Sequence, residues 1–140
     1  MMRIERFTLM RPEDNSDTRT TDSQLISDGQ MTSVRVPGIE ILHQFDTFAG
    51  YLLVTDHDCP FEETFHFILL DRHFRIRSRR SLGAGFSFVP TGGVRTLEKL
   101  AWEDEQNFVV TLTGPLERWR FTIRRFGVPF LHPRLTATRV

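Results

Sequence analysis

The chain has 140 residues, equal numbers of acidic and basic side chains, and one cysteine, Cys59. This length fits one compact domain, which we place at residues 1–140, and a single cysteine cannot form an internal disulfide. No apolar run approaches the roughly 18 residues of a membrane-spanning helix, and the N-terminus is charged where a signal peptide is apolar. We therefore expect a cytoplasmic protein that makes no contact with a membrane.

The two halves of the chain carry opposite charge. Residues 1–70 contain 5 Arg and 12 Asp or Glu, a net charge of −7, whereas residues 71–140 contain 13 Lys or Arg and 6 Asp or Glu, a net charge of +7. One interpretation is that the halves neutralise each other within the fold. The other is a dipolar surface that recognises a charged partner.

The N-terminal part of the chain predicts two strands separated by a polar connection. Ile4–Met10 and Met31–Val36 each carry apolar side chains with an imperfect strand-like alternation. Residues 11–30 are rich in Asp, Ser and Thr, so we expect a mobile polar connection that is either disordered or functional. Pro37 and Gly38 then predict a turn.

The next predicted strand is Ile39–Asp46, and it contains a histidine among apolar residues. Alternation places His43 on the same face as Ile41 and Phe45. We expect a packed, hydrogen-bonded core histidine, with a ligand or proton carrier as the alternative.

Two short apolar runs, Ala49–Thr55 and Thr64–Leu70, predict a pair of strands on either side of a polar insert. The strand after them, Phe74–Arg80, alternates strictly, with Phe74, Ile76 and Ser78 on one face and basic residues on the other. On its basic face lie Arg75, Arg77 and Arg79. A later strand, Leu116–Arg125, repeats this pattern with Arg118, Arg120 and Arg124.

The rest of the C-terminal half predicts two more strands and two irregular segments. Val94–Trp102 and Phe108–Thr113 have strand-like composition, and the glycine-rich residues 81–93 suggest a short strand between two corners. Residues 129–140 contain two prolines and no clear period, so an irregular tail is expected. His73 and Asn107 each precede a phenylalanine near a hairpin turn, where a left-handed residue is expected.

Eight or nine strands with short connections and no convincing helical pattern predict an all-β fold. Such a sequence is typical of an antiparallel barrel or sandwich.

The insert between the two central strands holds the most reactive residues of the chain. Asp56, His57, Asp58 and Cys59 are followed by Glu62, Glu63 and His66. Such side chains could hold a divalent metal, or the thiol could act as a nucleophile. Their spacing matches no established ligand pattern, and acidic neighbours oppose thiolate formation. We therefore expect an ordinary turn, with no metal and no cofactor, and keep a metal-dependent enzyme as an alternative.

The six arginines of the two basic strands form the second candidate site. If the strands are neighbours, Arg75, Arg77, Arg79, Arg118, Arg120 and Arg124 form one basic stripe. Arginine binds carboxylates and phosphates in a bidentate manner. Nucleic-acid binders usually expose aromatic residues between such arginines, and here the aromatic residues alternate to the opposite face, so nucleic acid is not expected.

The favoured hypothesis is a non-enzymatic binding protein that contacts an acidic protein partner, or a second copy of itself, through this stripe. A solvated outer sheet face is the simpler interpretation of the same pattern. Thirteen phenylalanines also allow a barrel with an internal apolar cavity, so a small-ligand-binding barrel is a further alternative.

Overall fold

The computed structural model describes residues 1–11, 22–56, 64–83, 96–114, 116–126 and 133–140. Nowhere in these ranges is there a helix that could span a membrane. The strands in these ranges are β1 Met2–Arg3, β2 Phe7–Met10, β3 Asp22–Ser27, β4 Gln30–Pro37, β5 Glu40–Thr47, β6 Gly50–Asp56, β7 Thr64–Leu70, β8 Ile76–Gly83, β9 Thr96–Trp102, β10 Asn107–Thr113, β11 Glu117–Ile123 and β12 Leu135–Arg139.

The strands form three antiparallel sheets, each built mainly from consecutive hairpins. The N-terminal sheet has the order β2-β3-β4, the central sheet β1-β5-β6-β7-β8, and the C-terminal sheet β12-β11-β10-β9. The predicted all-β, antiparallel class is therefore confirmed. The described strands do not close into a barrel.

The central sheet is buried on both of its faces. Along β6, Leu52 and Val54 belong to one apolar cluster, whereas Tyr51 and Leu53 belong to another. The first cluster fills the space against the C-terminal sheet and the second fills the space against the N-terminal sheet. Strands buried on both faces read as continuous apolar runs, which explains the sequences YLLV and FILL in β6 and β7.

Aromatic rings dominate the core between the central and C-terminal sheets. Phe67 from β7 lies 4.2 Å from Phe121, measured between ring centroids, and Phe108 stacks on Phe121 at 4.9 Å. Phe45 meets Trp102 edge to face at 5.2 Å. Such pairs contribute about 0.5–1.5 kcal/mol beyond the burial of their surface.

The predicted polar connection at residues 11–30 is wrong for its second half. Residues 22–27 form β3, and residues 12–21 lie outside the described ranges. The core-facing positions of β3 alternate as Ser23, Leu25 and Ser27, all three of them buried. The two serines replace the apolar residues that a strand pattern would show. Ser23 compensates for its burial because its hydroxyl donates to the Gly38 carbonyl at 2.5 Å.

The expected irregular tail at residues 129–140 also contains a strand. β12 pairs with β11, and Leu135 is fully buried in the core against the central sheet. This strand is only five residues long and has a single large apolar residue, so its sequence has too little pattern to be recognised. With β1 and β3, it raises the count above the predicted eight or nine strands to the twelve named above. The glycine-rich segment 84–95 lies outside the described residues.

A β-bulge changes which residues of β5 share a face. The register shifts between Ile41 and His43, so Ile41 packs in the core against the N-terminal sheet and Phe45 in the opposite core. The predicted common face is therefore wrong for Ile41, whereas His43 and Phe45 share a face as expected. Strict alternation fails here because an extra residue on one strand reverses the facing of everything beyond it.

Gly50, at the start of β6, provides a sharp test of this packing. Its φ is +136°, and a Cβ at this position would lie 1.9 Å from the Leu70 carbonyl oxygen on β7. We expect Gly50→Ala to destabilise the protein by about 3 kcal/mol or more, because backbone strain and overpacking add. Urea unfolding followed by tryptophan fluorescence measures this loss.

Gly29→Ala is the matched control. Gly29 also has a positive φ, +77°, but a Cβ there meets no atom within 4 Å. Only the conformational strain remains, so we expect a loss of about 1 kcal/mol. Equal losses for the two variants would contradict the close approach of β6 and β7.

Candidate functional site

The predicted basic stripe is divided between two sheets: Arg77 and Arg79 lie in β8 and Arg118 and Arg120 in β11, while Arg75 directly precedes β8 and Arg124 directly follows β11. β8 is an edge strand of the central sheet, and β11 is an inner strand of the C-terminal sheet. They are therefore not neighbours in one sheet. The prediction of one continuous stripe on one sheet face is wrong, and each set of three has to be considered by itself.

The arginines near β8 do not form a single row. Ile76 pairs with Leu70 and Ser78 with Leu69, so the register shifts at Arg77. Beyond this irregularity Arg79 pairs with Ile68 and lies on the same face as Ile76, against the predicted alternation. The Nε atom of Arg77 also forms an ion pair with Asp71 at 2.8 Å.

The arginines of β11 keep the predicted alternation. Arg118 pairs with Thr111 and Arg120 with Val109, all on the face of the C-terminal sheet that points away from the core. Arg120 binds the Glu103 carboxylate through two nitrogens, at 2.7 and 3.3 Å. This hydrogen bond lowers the pKa of Glu103.

Arg118 and Arg124 are exposed, and neither forms an ion pair with any residue in the described ranges. Within the described part of the chain, these two cations therefore differ from Arg120, which is held in an ion pair with Glu103.

Most of the predicted metal-binding loop lies outside the described residues. This applies to His57, Asp58 and Cys59, and to Glu62 and Glu63. Asp56 ends β6. The described residues contain no group of three or more side chains that could hold a metal ion. The loop hypothesis stays a prediction.

His43 is half-buried, next to the N-terminal strand. Its ring stacks on Phe45 at 6.1 Å, and its Nδ1 lies 3.5 Å from a terminal nitrogen of Arg3. Burial, and then the positive charge of Arg3, lower the pKa of His43 below its usual value of 6.5. His43 is therefore packed against Phe45 as expected, but it is only half-buried and is not the core residue that the sequence predicted.

A cleft that the sequence did not predict lies between the N-terminal sheet and the β7–β8 turn. Its volume is about 560 Å³, within the range of small-molecule sites. Arg6, Ser27 and Asp28 line it on the N-terminal side, and His73 and Phe74 line it on the turn side. The start of β4 supplies the remaining wall through residues 30–34.

Arg6 is held in this cleft by three polar contacts. Its Nε donates to the Ser27 hydroxyl at 2.9 Å and lies 2.9 Å from the Asp28 carboxylate. One terminal nitrogen donates to the Tyr51 hydroxyl at 2.8 Å. The side chain is therefore fixed from two sheets at once, because Ser27 belongs to β3 and Tyr51 to β6.

Three aromatic rings surround the same guanidinium. Its central carbon lies 5.8 Å from the ring centroid of Phe7, 5.3 Å from that of Tyr51 and 5.1 Å from that of Phe74. These distances are typical of cation–π interactions, which are strongest where water is partly excluded. On the far side of the cluster Arg72 lies 4.8 Å from Tyr51.

Phe74 reaches the cluster from a strained backbone position. Its φ is +65°, a region that bulky residues rarely adopt. The sequence placed the left-handed residue at His73, so that assignment is wrong by one position, and Asn107 is also absent from the positive-φ residues.

Asp71 fixes the turn that carries Phe74. Its carboxylate accepts hydrogen bonds from the backbone N–H groups of His73 at 2.8 Å and Arg75 at 3.0 Å. Its partial burial raises the pKa, but these two bonds and the bond from Arg77 outweigh that effect and hold the pKa below its usual value.

A wide bulge in β4 forms the opposite wall. The pair Gln24–Arg35 is separated from the pair Ile26–Met31 by two residue positions along β3 but by four along β4. The amide of Gln24 donates to the Thr32 and Val34 carbonyls and so occupies the gap. Bulges and residues at positive φ are both frequent at functional sites.

Sequence reasoning missed this cleft although one signal for it was present. Asp28-Gly29 is a strong hairpin signal, and it lies inside the stretch interpreted as a polar connection. Recognising the hairpin would have brought β3 and β4 together. The approach of Arg6 and Phe74 from elsewhere in the chain has no local signature.

Comparisons with protein-family models, with curated proteins and with solved structures found no match for this chain. The proposals below therefore rest on the residues and contacts described above.

The lowered pKa of His43 predicts a pH-dependent stability. Because the pKa of His43 is lower in the folded state, the unfolded state is protonated first as the pH falls. The contribution of neutral His43 to the free energy of unfolding is therefore complete above about pH 6.5 and is lost as the pH falls below that value. Urea unfolding between pH 7.5 and pH 5 should show a steeper loss for the wild type than for His43→Gln. Arg3→Gln should give an intermediate slope, because it removes one of the two causes. Parallel curves for wild type and His43→Gln would contradict this assignment.

Proposed function

We propose that the protein is a non-enzymatic interaction protein that contacts an acidic protein surface through Arg118, Arg120 and Arg124. The observation that carries the proposal is the pair of exposed cations, Arg118 and Arg124, that form no ion pair with the described residues. Arginine suits such a contact because its planar fork binds carboxylates with two hydrogen bonds.

The surroundings of the row support an acidic protein partner. Thr111 pairs with both Arg118 and Lys99, so Lys99 adds a further cation to the same sheet face. Trp119 and Phe121 are on the opposite, core-facing side, where they cannot stack on nucleic-acid bases. A protein surface rich in carboxylates is the partner chemistry that this face fits best.

A second copy of the chain is the simplest source of that surface. The chain is neutral overall, with −7 in residues 1–70 and +7 in residues 71–140. Two copies can therefore place opposite charges together without accumulating net charge. Such steering chiefly raises the association rate and makes it sensitive to salt.

Three other predictions from the sequence remain proposals: a metal-dependent activity, the finer architecture and the location in the cell. The hypothesis of a metal-dependent activity at the Asp56–Cys59 loop would be supported if elemental analysis of the purified protein found stoichiometric zinc, iron or manganese. The finer architecture that we propose is a three-layer sandwich rather than a barrel, since buried clusters lie on both faces of the central sheet. A cytoplasmic location is likewise still a prediction.

Charge reversal tests the docking role of the row. We expect Arg118→Glu with Arg124→Glu to weaken self-association about tenfold or more at low salt, because like charges then face the acidic surface. Sedimentation velocity at about 20 mM and about 0.5 M salt measures this effect, and wild-type association should also weaken at high salt.

The matched control is Arg75→Glu with Arg79→Glu. Each pair of substitutions changes the net charge from 0 to −4, so general electrostatic effects are equal. The control should associate like the wild type apart from that shared effect. Equal weakening of self-association by both pairs of substitutions would contradict the assignment of the contact surface to Arg118 and Arg124. A wild type that stays monomeric at low salt and does not bind a polyglutamate peptide would overturn the proposal.

A further inference from the structure

We propose that the cleft at Arg6 binds a small organic anion, namely a carboxylate carried on an aromatic or apolar group. The site is separate from the arginine row of β11 and does not depend on it. The inference rests on the hydrogen-bond donors of Arg6, on the mixed lining of the cleft, and on the preformed geometry of its two walls.

Arg6 has hydrogen-bonding capacity left after its contacts within the protein. A guanidinium has five N–H donors, one on Nε and two on each terminal nitrogen. Nε is used by Ser27 and Asp28, and one terminal donor is used by Tyr51. Within the described residues the other three N–H groups have no acceptor. Two terminal nitrogens that carry free N–H groups form the edge that grips a carboxylate in a bidentate manner.

Asp28 leaves this edge open to an anion. The carboxylate of Asp28 lies against Nε, not against the terminal nitrogens, and its side chain is 65% exposed. Water therefore screens much of its negative charge. Arg6 itself is 35% exposed, so its charge is accessible from the cleft and still partly shielded from water.

The lining of the cleft selects for a ligand with an apolar part. Phe74, Val34 and Met31 supply apolar surface, and Ser33 adds a hydroxyl-bearing residue to the lining. Pockets of this kind combine an apolar wall with a few polar groups that orient the ligand. A ligand whose aromatic ring packs on Phe74 and whose carboxylate binds Arg6 uses both the apolar wall and the polar groups.

The cleft is held open by contacts that exist without a ligand. Phe74 is fixed at φ +65° by packing edge to face on Phe7 at 5.5 Å. Gln24 holds the β4 bulge through its bonds to Thr32 and Val34. A preformed site loses little conformational entropy on binding, which favours affinity for a small ligand.

The same bulge argues against an extended peptide as the ligand. β4 is an edge strand of the N-terminal sheet, and edge strands can accept an added strand. Here residues 32–34 leave the regular register, so the edge beside the cleft is irregular. A compact anion fits this geometry better than a strand.

The probe for this site is 2-naphthoate, with the neutral 2-naphthalenemethanol as its shape-matched control. We expect naphthoate to bind in the millimolar range and to shift the backbone amide resonances of residues 27–34 and 73–74 in ¹⁵N-labelled protein. The alcohol should bind at least about tenfold more weakly, because it cannot form the charge-assisted bidentate contact.

Two variants that act differently keep the proposal falsifiable. Arg6→Lys retains the charge but loses the planar fork, and should weaken naphthoate binding about tenfold. Because Arg6→Lys also loses contacts to Ser27 and Tyr51, Ser33→Trp is the second variant: it fills the cleft from an exposed position and should abolish binding.

Arg35→Lys is the matched control for Arg6→Lys, because both substitutions retain the positive charge. Arg35 is an exposed arginine of β4, the strand that supplies one wall of the cleft, but it does not line the cleft. The Arg35 variant should therefore bind naphthoate like the wild type. Equal affinity for the acid and the alcohol would overturn the proposal, as would unchanged binding in Ser33→Trp or resonance shifts confined to residues outside the cleft.

Discussion

The two-sided burial of β6 and β7 is the constraint on which the rest of the structure depends. Every side chain from Tyr51 to Thr55 and from Phe67 to Leu70 is buried. Each large apolar side chain contributes about 1.5–3 kcal/mol only if its own face is covered. One outer sheet can cover only one face. The N-terminal and C-terminal sheets are therefore both required, and their strands need an apolar surface on one face alone.

This division explains why the sequence predicted some elements accurately and missed others. β7 begins and ends where predicted, because double burial leaves an apolar run that stands out from its polar flanks. β3 was missed because Ser23 and Ser27 occupy core positions and satisfy their hydroxyl groups within the protein. The faces of β5 and β8 were assigned wrongly because bulges shift their registers, and no local residue pattern marks the position of a bulge.

The same division accounts for the arginines. The aromatic core covers one face of the C-terminal sheet, and alternate residues of β11 point to the other face, so their alternation was readable from the sequence. Their relation to the arginines of β8 was not readable, because it depends on which sheets the two strands join. Their position on the outward face alone would be explained by exposure of Arg118 and Arg120 to solvent. What distinguishes them is that Arg120 forms a hydrogen-bonded ion pair with Glu103, whereas Arg118 forms no ion pair in the described part of the chain and acts on Glu103 through its charge alone.

The cleft follows from how the N-terminal sheet is attached to the central sheet. Gln44 of β5 pairs with both backbone polar groups of Phe7, at 2.8 and 2.9 Å, and so holds β2 against the central sheet. Arg6 precedes Phe7, and this attachment brings its guanidinium to Tyr51 and Phe74. The strained φ of Phe74 is sustained because its ring completes that cluster. The contacts that join the two sheets are thus the contacts that preform the site, and substitutions in the cluster should alter stability and ligand binding together.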